Sequence, residues 1–182
     1  MFKNITVIGS GLMGSAIAAH FANAKCKVTL LDIVDKKQKN KNYIADQAIK
    51  KLLKIKPSPL TLKSNVKLII SGNLEENLNL INDTDWVIEA IVEDLNIKKK
   101  LYQKIDNIMK DDLIISSNTS TIPLNLLTED LSTKFKKNFL ITHFFNPPRY
   151  LRLLEIVKSN EMNIERLKKI INFCDVRLGK TV

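Results

Sequence analysis

The sequence predicts an α/β domain, doubly wound around a mostly parallel sheet. Three observations carry that prediction. Short β-branched runs alternate with amphipathic stretches of helical period. The first run, Asn4–Ile8, passes into Gly9-Ser10-Gly11-Leu12-Met13-Gly14 and then at once into small helix formers. The second run, Lys27–Leu31, ends at Asp32, 18 residues beyond Gly14. A glycine turn between strand and helix, followed at that distance by a carboxylate, is the pattern of a dinucleotide fingerprint.

Each element follows from its own signal. Leu12–Ala24 reads as the first helix, and Asp35–Lys56 as a long polar helix with Tyr43, Ile44, Ala48, Leu52 and Ile55 on one stripe. Pro57-Ser58-Pro59 ends it. Asn65–Ile70 reads as a short strand, Leu74–Leu80 as a short helix after Gly72, and Asp85–Ala90 as a buried strand ending in carboxylates. Leu95–Met109 is amphipathic, with apolar residues at 97, 101, 105, 108 and 109. Leu113–Ser116 is a strand, Ser117–Pro123 a polar loop and Leu124–Leu131 a short helix. Phe139–Phe144 is a strand stopped by Asn146-Pro147-Pro148. Leu153–Val157 is the next strand, Ile164–Phe173 the last helix, and Val176–Leu178 a final short strand.

Bulk properties bound the function. The 182 residues are enough for one domain with a sizeable core, and 45% hydrophobic with 26% charged residues is ordinary for a globular protein. No apolar run approaches the ~20 residues that span a bilayer. The N-terminus enters the first strand without a charged-then-apolar leader, so the expected location is cytoplasmic. Cys26 and Cys174 lack metal or redox spacing and are expected to be reduced thiols, and no metal site is expected. The net charge of +10 comes from 25 lysines and four arginines spread along the chain, with runs at 36–41, 98–100 and 134–137 that have no interleaved aromatics. Solvated helix faces that attract a polyanionic, phosphate-bearing ligand account for this better than a nucleic-acid partner.

In doubly wound sheets ligands bind beyond the carboxyl ends of the strands. The polar residues placed there are Gly9–Gly14, Asp32, Glu89 to Glu93, Ser116–Ser120 and His143–Asn146. His143 ends an apolar strand, and Glu155 interrupts another, where a carboxylate is costly unless a partner holds it. A Glu155–His143 hydrogen bond would fix the imidazole tautomer and leave the other nitrogen to move a proton, as alcohol oxidation requires. Ser120 either holds a substrate oxygen or caps its own Ser/Thr-rich loop. Glu93 and Lys98 read as a charge at a helix N-terminus and a solvated lysine, and His20 as an ordinary helix residue.

Together, Val7–Gly14, Glu89-Ala90-Ile91-Val92-Glu93, Ser117-Asn118-Thr119-Ser120, His143-Phe144-Phe145-Asn146-Pro147 with Glu155 beyond, and Leu178-Gly179-Lys180 resemble the NAD-binding domain of the L-3-hydroxyacyl-CoA dehydrogenase family. The resemblance runs from about Asn4 to Lys180. It implies a Rossmann-type fold over residues 1–182 and NAD-dependent oxidation of (S)-3-hydroxyacyl-CoA to 3-oxoacyl-CoA, in fatty acid β-oxidation or related acyl-CoA metabolism. It implies that Gly9, Ser10, Gly11, Leu12, Met13, Gly14 and Asp32 hold the adenosine half of NAD, and that Glu93, Lys98, Ser120 and Asn146 line the remainder. NAD is expected over NADP, because Asp32 would repel a 2′-phosphate and no arginine follows it. It further implies His143 as catalytic base, oriented by Glu155, with Ser120 on the substrate hydroxyl. The family's CoA contacts fall on the helix after the second strand, where Lys51, Lys54 and Lys56 are candidates. Family members continue into an all-α C-terminal domain that is absent from this sequence. The expectation is therefore a truncated or split enzyme completed by a separate helical polypeptide, or a non-catalytic NAD-binding fragment. The 3-hydroxyisobutyrate type of dehydrogenase shares the glycine fingerprint but uses a catalytic lysine, and the His143-to-Glu155 segment argues against it.

Overall fold

A computed structural model of the chain describes residues 2–182. Seven strands form one sheet in the order β3-β2-β1-β4-β5-β6-β7. β1 (Asn4–Ile8), β2 (Lys27–Asp32), β3 (Ile69–Asn73), β4 (Trp86–Glu89), β5 (Ile114–Ser117) and β6 (Phe139–Phe144) run parallel. Only β7 (Leu154–Lys158) is antiparallel, with Thr142 opposite Ile156 and His143 opposite Glu155.

Strand residues alternate between two cores, as a sheet covered on both faces requires. Ile5 and Val7 of β1, and Trp86 and Ile88 of β4, point to α1 (Leu12–Asn23), α2 (Tyr43–Leu52) and α6 (Ile164–Val176). Ile8 and Val87 point the other way, to α3 (Leu95–Ile108), α4 (Leu124–Thr128) and α5 (Thr133–Lys136). Phe21 anchors the first core, edge-on to Trp86 at 5.3 Å and stacked on Phe173 at 6.0 Å. Sheet order reverses between β1 and β4, so the crevice above their carboxyl ends is the expected ligand position.

Four expected elements differ, each for a local reason. The helix over 35–56 is confined to α2, because the Asp35 and Asn40 side chains accept from the Lys37 and Asn42 amides and hold 35–42 in turns. Residues 63–68 are a 3₁₀ helix rather than strand. Asn65 is buried there in a side-chain network with Asn23, Thr61 and Lys25, and the strand starts only at Ile69. The short helix after Gly72 is a 3₁₀ turn at Leu78–Asp83, since Asn73 Oδ1 takes the Glu75 and Glu76 amides into a turn of its own. Val176–Leu178 is not a strand: α6 runs to Val176 and closes at Gly179 with a φ of 64°. The strand-like contact comes later, as a single bridge from Leu153 to Thr181. α5 is an addition, capped by Ser132 within a lysine run.

Candidate active site

The turn after β1 is shaped by contacts that only glycine permits. Gly9 has a φ of 97°, and a Cβ there would lie 2.5 Å from the Ala90 carbonyl oxygen. A Cβ on Gly14 would lie 1.8 Å from the Gly9 carbonyl oxygen, so the first turn of α1 packs on the glycine turn itself. Gly11 faces open space, with nothing within 4 Å of its missing Cβ. It caps α1 without a side-chain bond, and the first turn of α1 carries no acidic residue. The helix thus presents its amides and the positive end of its dipole to the crevice, which suits a pyrophosphate.

Two clefts meet over this turn. One, about 640 Å³, is bounded by Gly9, Gly11, Asp32, Ile33, Leu74 and Leu78, with Lys100 and Lys104 at its rim. The other, about 510 Å³, contains Leu12, Met13, Glu93, Asn118, Ser120, His143 and Asn146. Both share Gly11 and the Ala90–Val92 segment as a saddle. A third cavity of about 500 Å³, by Asp85 and Asp112, lies at the amino ends of the strands, the wrong edge for this architecture.

Asp32, the last residue of β2, lines the first cleft. Its Oδ2 accepts from the Ser10 amide (2.6 Å) and hydroxyl (2.5 Å), and its Oδ1 from the Ile33 amide (2.7 Å). Oδ2 thus has both its acceptor sites taken, and Oδ1 keeps one for a further donor. Ser10 therefore acts through Asp32, which it orients.

Lys98 is not the solvated lysine that its charged neighbours suggested. It is 1% exposed, and its ammonium lies 2.6 Å from Glu89 Oε1, on a carboxylate that is itself fully buried. Glu89 also accepts from the Tyr102 hydroxyl, from Ser117 Oγ at 2.6 Å and from the Ile91 amide at 2.7 Å. Four donors thus hold a charge that would otherwise be expelled from the core. Lys98 reaches Glu93 as well, at 3.3 Å. Glu93 in turn gathers the Ser120 loop, accepting from the Thr119 and Thr121 hydroxyls and the Ser120 and Thr121 amides. Partial burial opposes its charge, but the Thr119 hydroxyl, the Lys98 ammonium and Thr121 outweigh it and hold the carboxyl down at about 2.

His143 Nδ1 lies 2.9 Å from Glu155 Oε2. The pair forms as expected, but not because Glu155 is buried: its side chain is 54% exposed, and that of His143 22%. The two residues sit directly opposite each other across the β6–β7 ladder, which is what brings them together. With Nδ1 bonded to the carboxylate, Nε2 is the nitrogen left for the cleft, where no hydrogen bond to it is found among the described residues. Asn118, within the Ser116–Ser120 stretch but given no role of its own there, lines the same cleft and accepts from the Phe144 amide at 2.9 Å, tying the ends of β5 and β6. Its position one residue past a strand end was the available signal.

The lysines expected to meet CoA are less concentrated. Lys51, Lys54 and Lys56 are all exposed, and only Lys51 belongs to α2. Lys56 alone lines a recess of about 200 Å³, between the start of α1 and Asn146. His20 is a buried histidine rather than an ordinary helix residue: burial first, then the Lys180 charge, pulls it down to about 3. Cys26 and Cys174 are free and buried, and burial pushes their thiols up to about 11 and about 12. No cluster of metal-ligating side chains is found among the described residues, and no helix among them is long and apolar enough to cross a membrane.

A glycine turn on a helix without a side-chain cap, a carboxylate at the end of the second strand and a two-lobed crevice at the switch point define a nicotinamide-dinucleotide-binding domain, and the residues present fit NAD. The comparisons agree. Residues 4–182 match the family described as 3-hydroxyacyl-CoA dehydrogenase, NAD binding domain, and the chain belongs to that family. A Deinococcus radiodurans protein named as a 3-hydroxyacyl-CoA dehydrogenase is 42% identical over 180 residues, covering 99% of this chain and 52% of the relative. A Rickettsia felis protein named as a fatty acid oxidation complex trifunctional enzyme is 49% identical over 180 residues, 99% of this chain and 25% of the relative. The chain thus spans from a quarter to about half of such relatives. Among solved structures, Mycobacterium tuberculosis FadB2 superposes with a TM-score of 0.81 at 26% identity, covering 100% of this chain and 62% of the other.

Proposed function

We propose that this chain carries the cofactor half and the proton-transfer pair of an NAD-dependent oxidation of (S)-3-hydroxyacyl-CoA to 3-oxoacyl-CoA. The observation that supports it most is the His143–Glu155 pair, in the same cleft as Ser120 and the start of α1. NAD bound in this crevice supplies the hydride acceptor. Gly9 to Gly14 hold the pyrophosphate, Asp32 the adenosine ribose, and Glu93 and Asn146 the nicotinamide side, with the buried Lys98 acting through Glu93. Ser120 donates to or accepts from the substrate oxygen. His143 Nε2 takes the hydroxyl proton, while Glu155 on Nδ1 fixes the tautomer and stabilises the imidazolium that forms. Lys56, with Lys51 and Lys54 behind it, offers positive charge to the phosphates of CoA.

We place the reaction in cytoplasmic β-oxidation or related acyl-CoA metabolism. A helical cover over the acyl chain, on the same polypeptide or a separate one, would exclude water from the cleft. The test is reduction of acetoacetyl-CoA by NADH, with NADH binding followed in parallel. Turnover that His143→Ala lowers about 10²- to 10⁴-fold, with NADH affinity retained, supports the reading. NADH binding without turnover, even with a helical partner added, would leave a non-catalytic NAD-binding module.

A further inference from the structure

Lys180 is the least accounted-for charge in the molecule. Its side chain is 2% exposed, and its ammonium has no carboxylate partner among the ion pairs of the described residues. It donates instead to two backbone carbonyls, those of Pro148 and of Leu151 (2.8 Å), and lies 5.6 Å from the Phe144 ring centroid. A buried ammonium without a counter-ion is costly, and a methionine of similar volume would fill the space without that cost. What the charge provides must therefore lie in what it holds. The two carbonyls bracket the turn that follows Asn146, and Phe144 adjoins His143. The outer side of that loop is tied separately, by Arg149 and Tyr150 to the Ser58 carbonyl and by Arg149 to that of Leu60. Lys180 is itself anchored on α6, through its amide on the Cys174 carbonyl, and next to it the Thr181 amide bonds the Arg152 carbonyl just past the loop.

We propose that Lys180 is a positioning residue, whose buried ammonium clamps the 146–151 loop so that Asn146 and the end of β6 bearing His143 keep their place in the cleft. The roles of Asn146 and His143 rest on the function proposed above; the clamp itself does not.

Burial lowers Lys180 to about 8, against a small opposing effect of Cys174. The titratable groups coupled to it are His20 from α1, down at about 3, and Cys174 from α6, up at about 12; Arg149 from the loop acts on His20. Lys180 is the one among them that changes charge between pH 7 and 9.

The experiment compares wild type with Lys180→Met by amide hydrogen exchange and by acetoacetyl-CoA reduction. The reporters are the Tyr150 and Leu151 amides, both bonded to the Pro147 carbonyl. In the variant they should exchange at least about tenfold faster while Val7 and Leu30 keep their rates. Misplacing the loop should lower kcat about 10- to 100-fold and raise KM for NADH by a smaller factor, since Asn146 is one of several groups on the cofactor. In wild type alone, the same two amides should speed up between pH 7 and 9 by more than the base-catalysed trend of Val7. That series decides the question if the variant does not fold. Unchanged loop exchange, or a rise spread evenly over the sheet, overturns the proposal. Absence of turnover in wild type sinks the dehydrogenase reading, and the exchange data still decide the clamp.

Discussion

Replacing Lys98 by methionine tests whether the buried ion pair carries the crevice. In the wild type the fully buried Glu89 carboxylate is matched by the Lys98 ammonium at 2.6 Å. Removing the cation leaves a buried charge, which ordinarily costs about 3–5 kcal/mol. Tyr102, Ser117 and the Ile91 amide still donate to that carboxylate, so the lower end, about 3 kcal/mol, applies. For a domain of this size each kcal/mol moves the melting midpoint by about 2–4 °C, giving a drop of about 6–12 °C. Circular dichroism at pH 7 reads it, and adding Glu89→Gln should restore part of the loss, because the uncompensated charge is then gone. NADH titration should show weaker binding, since Glu93 loses the ammonium 3.3 Å away. A melt within about 2 °C of wild type would refute the reasoning.

Three further outcomes follow. Glu155→Gln should lower kcat by about 10- to 100-fold, less than His143→Ala, without weakening NADH; equal loss of NADH affinity would make the pair part of the cofactor site instead. Gly11→Ala should melt within about 2 °C of wild type yet bind NADH poorly, because its Cβ meets only ligand space, whereas Gly14→Ala should lose both, its Cβ falling 1.8 Å from the Gly9 carbonyl oxygen. In acid, Glu93 and His20 act in one direction. Glu93 contributes stability above its ordinary 4.5 and loses it as pH falls toward about 2. His20, neutral when folded down to about 3, takes a proton only in the unfolded chain below about 6.5, so stability again falls with pH. Melting midpoints from pH 7 to 3 should decline less steeply in Glu93→Gln at the acid end and in His20→Met from pH 6.5 downward.

The parts of the fold legible in the sequence are those where one face of an element decides everything. β1, β6 and α3 have strict apolar periods and lie within a residue of their expected bounds. Side chains that bond to nearby backbone defeat that reading. Asp35, Asn40 and Asn73 each offer the chain a turn in place of a helix, and composition alone does not show which of them will win. The charged network was hidden for a related reason. Lys98 stands in a lysine run, Lys98-Lys99-Lys100, with no mark to separate it from its neighbours. Only the helical phase of α3 turns it inward with Leu101, Tyr102 and Ile105 to meet Glu89.

The His143–Glu155 pair shows how a site can be legible while its cause is not. A carboxylate within an apolar strand suggested a buried group in need of a partner, yet β7 is the edge of the sheet and its Glu155 face is open to solvent. The strand is apolar because alternate residues, Leu154 above all, cover the first core, and Glu155 falls on the opposite phase. What places its carboxylate on the imidazole is register: β7 turns back antiparallel on β6, and His143 and Glu155 become direct cross-strand neighbours. An exposed carboxylate is free to move with solvent, so the ladder, not burial, must keep it on Nδ1. The ladder is held in turn by the bridge from Leu153 to Thr181, next to Lys180, so the geometry of the pair and the anchoring of that lysine belong to one piece of structure.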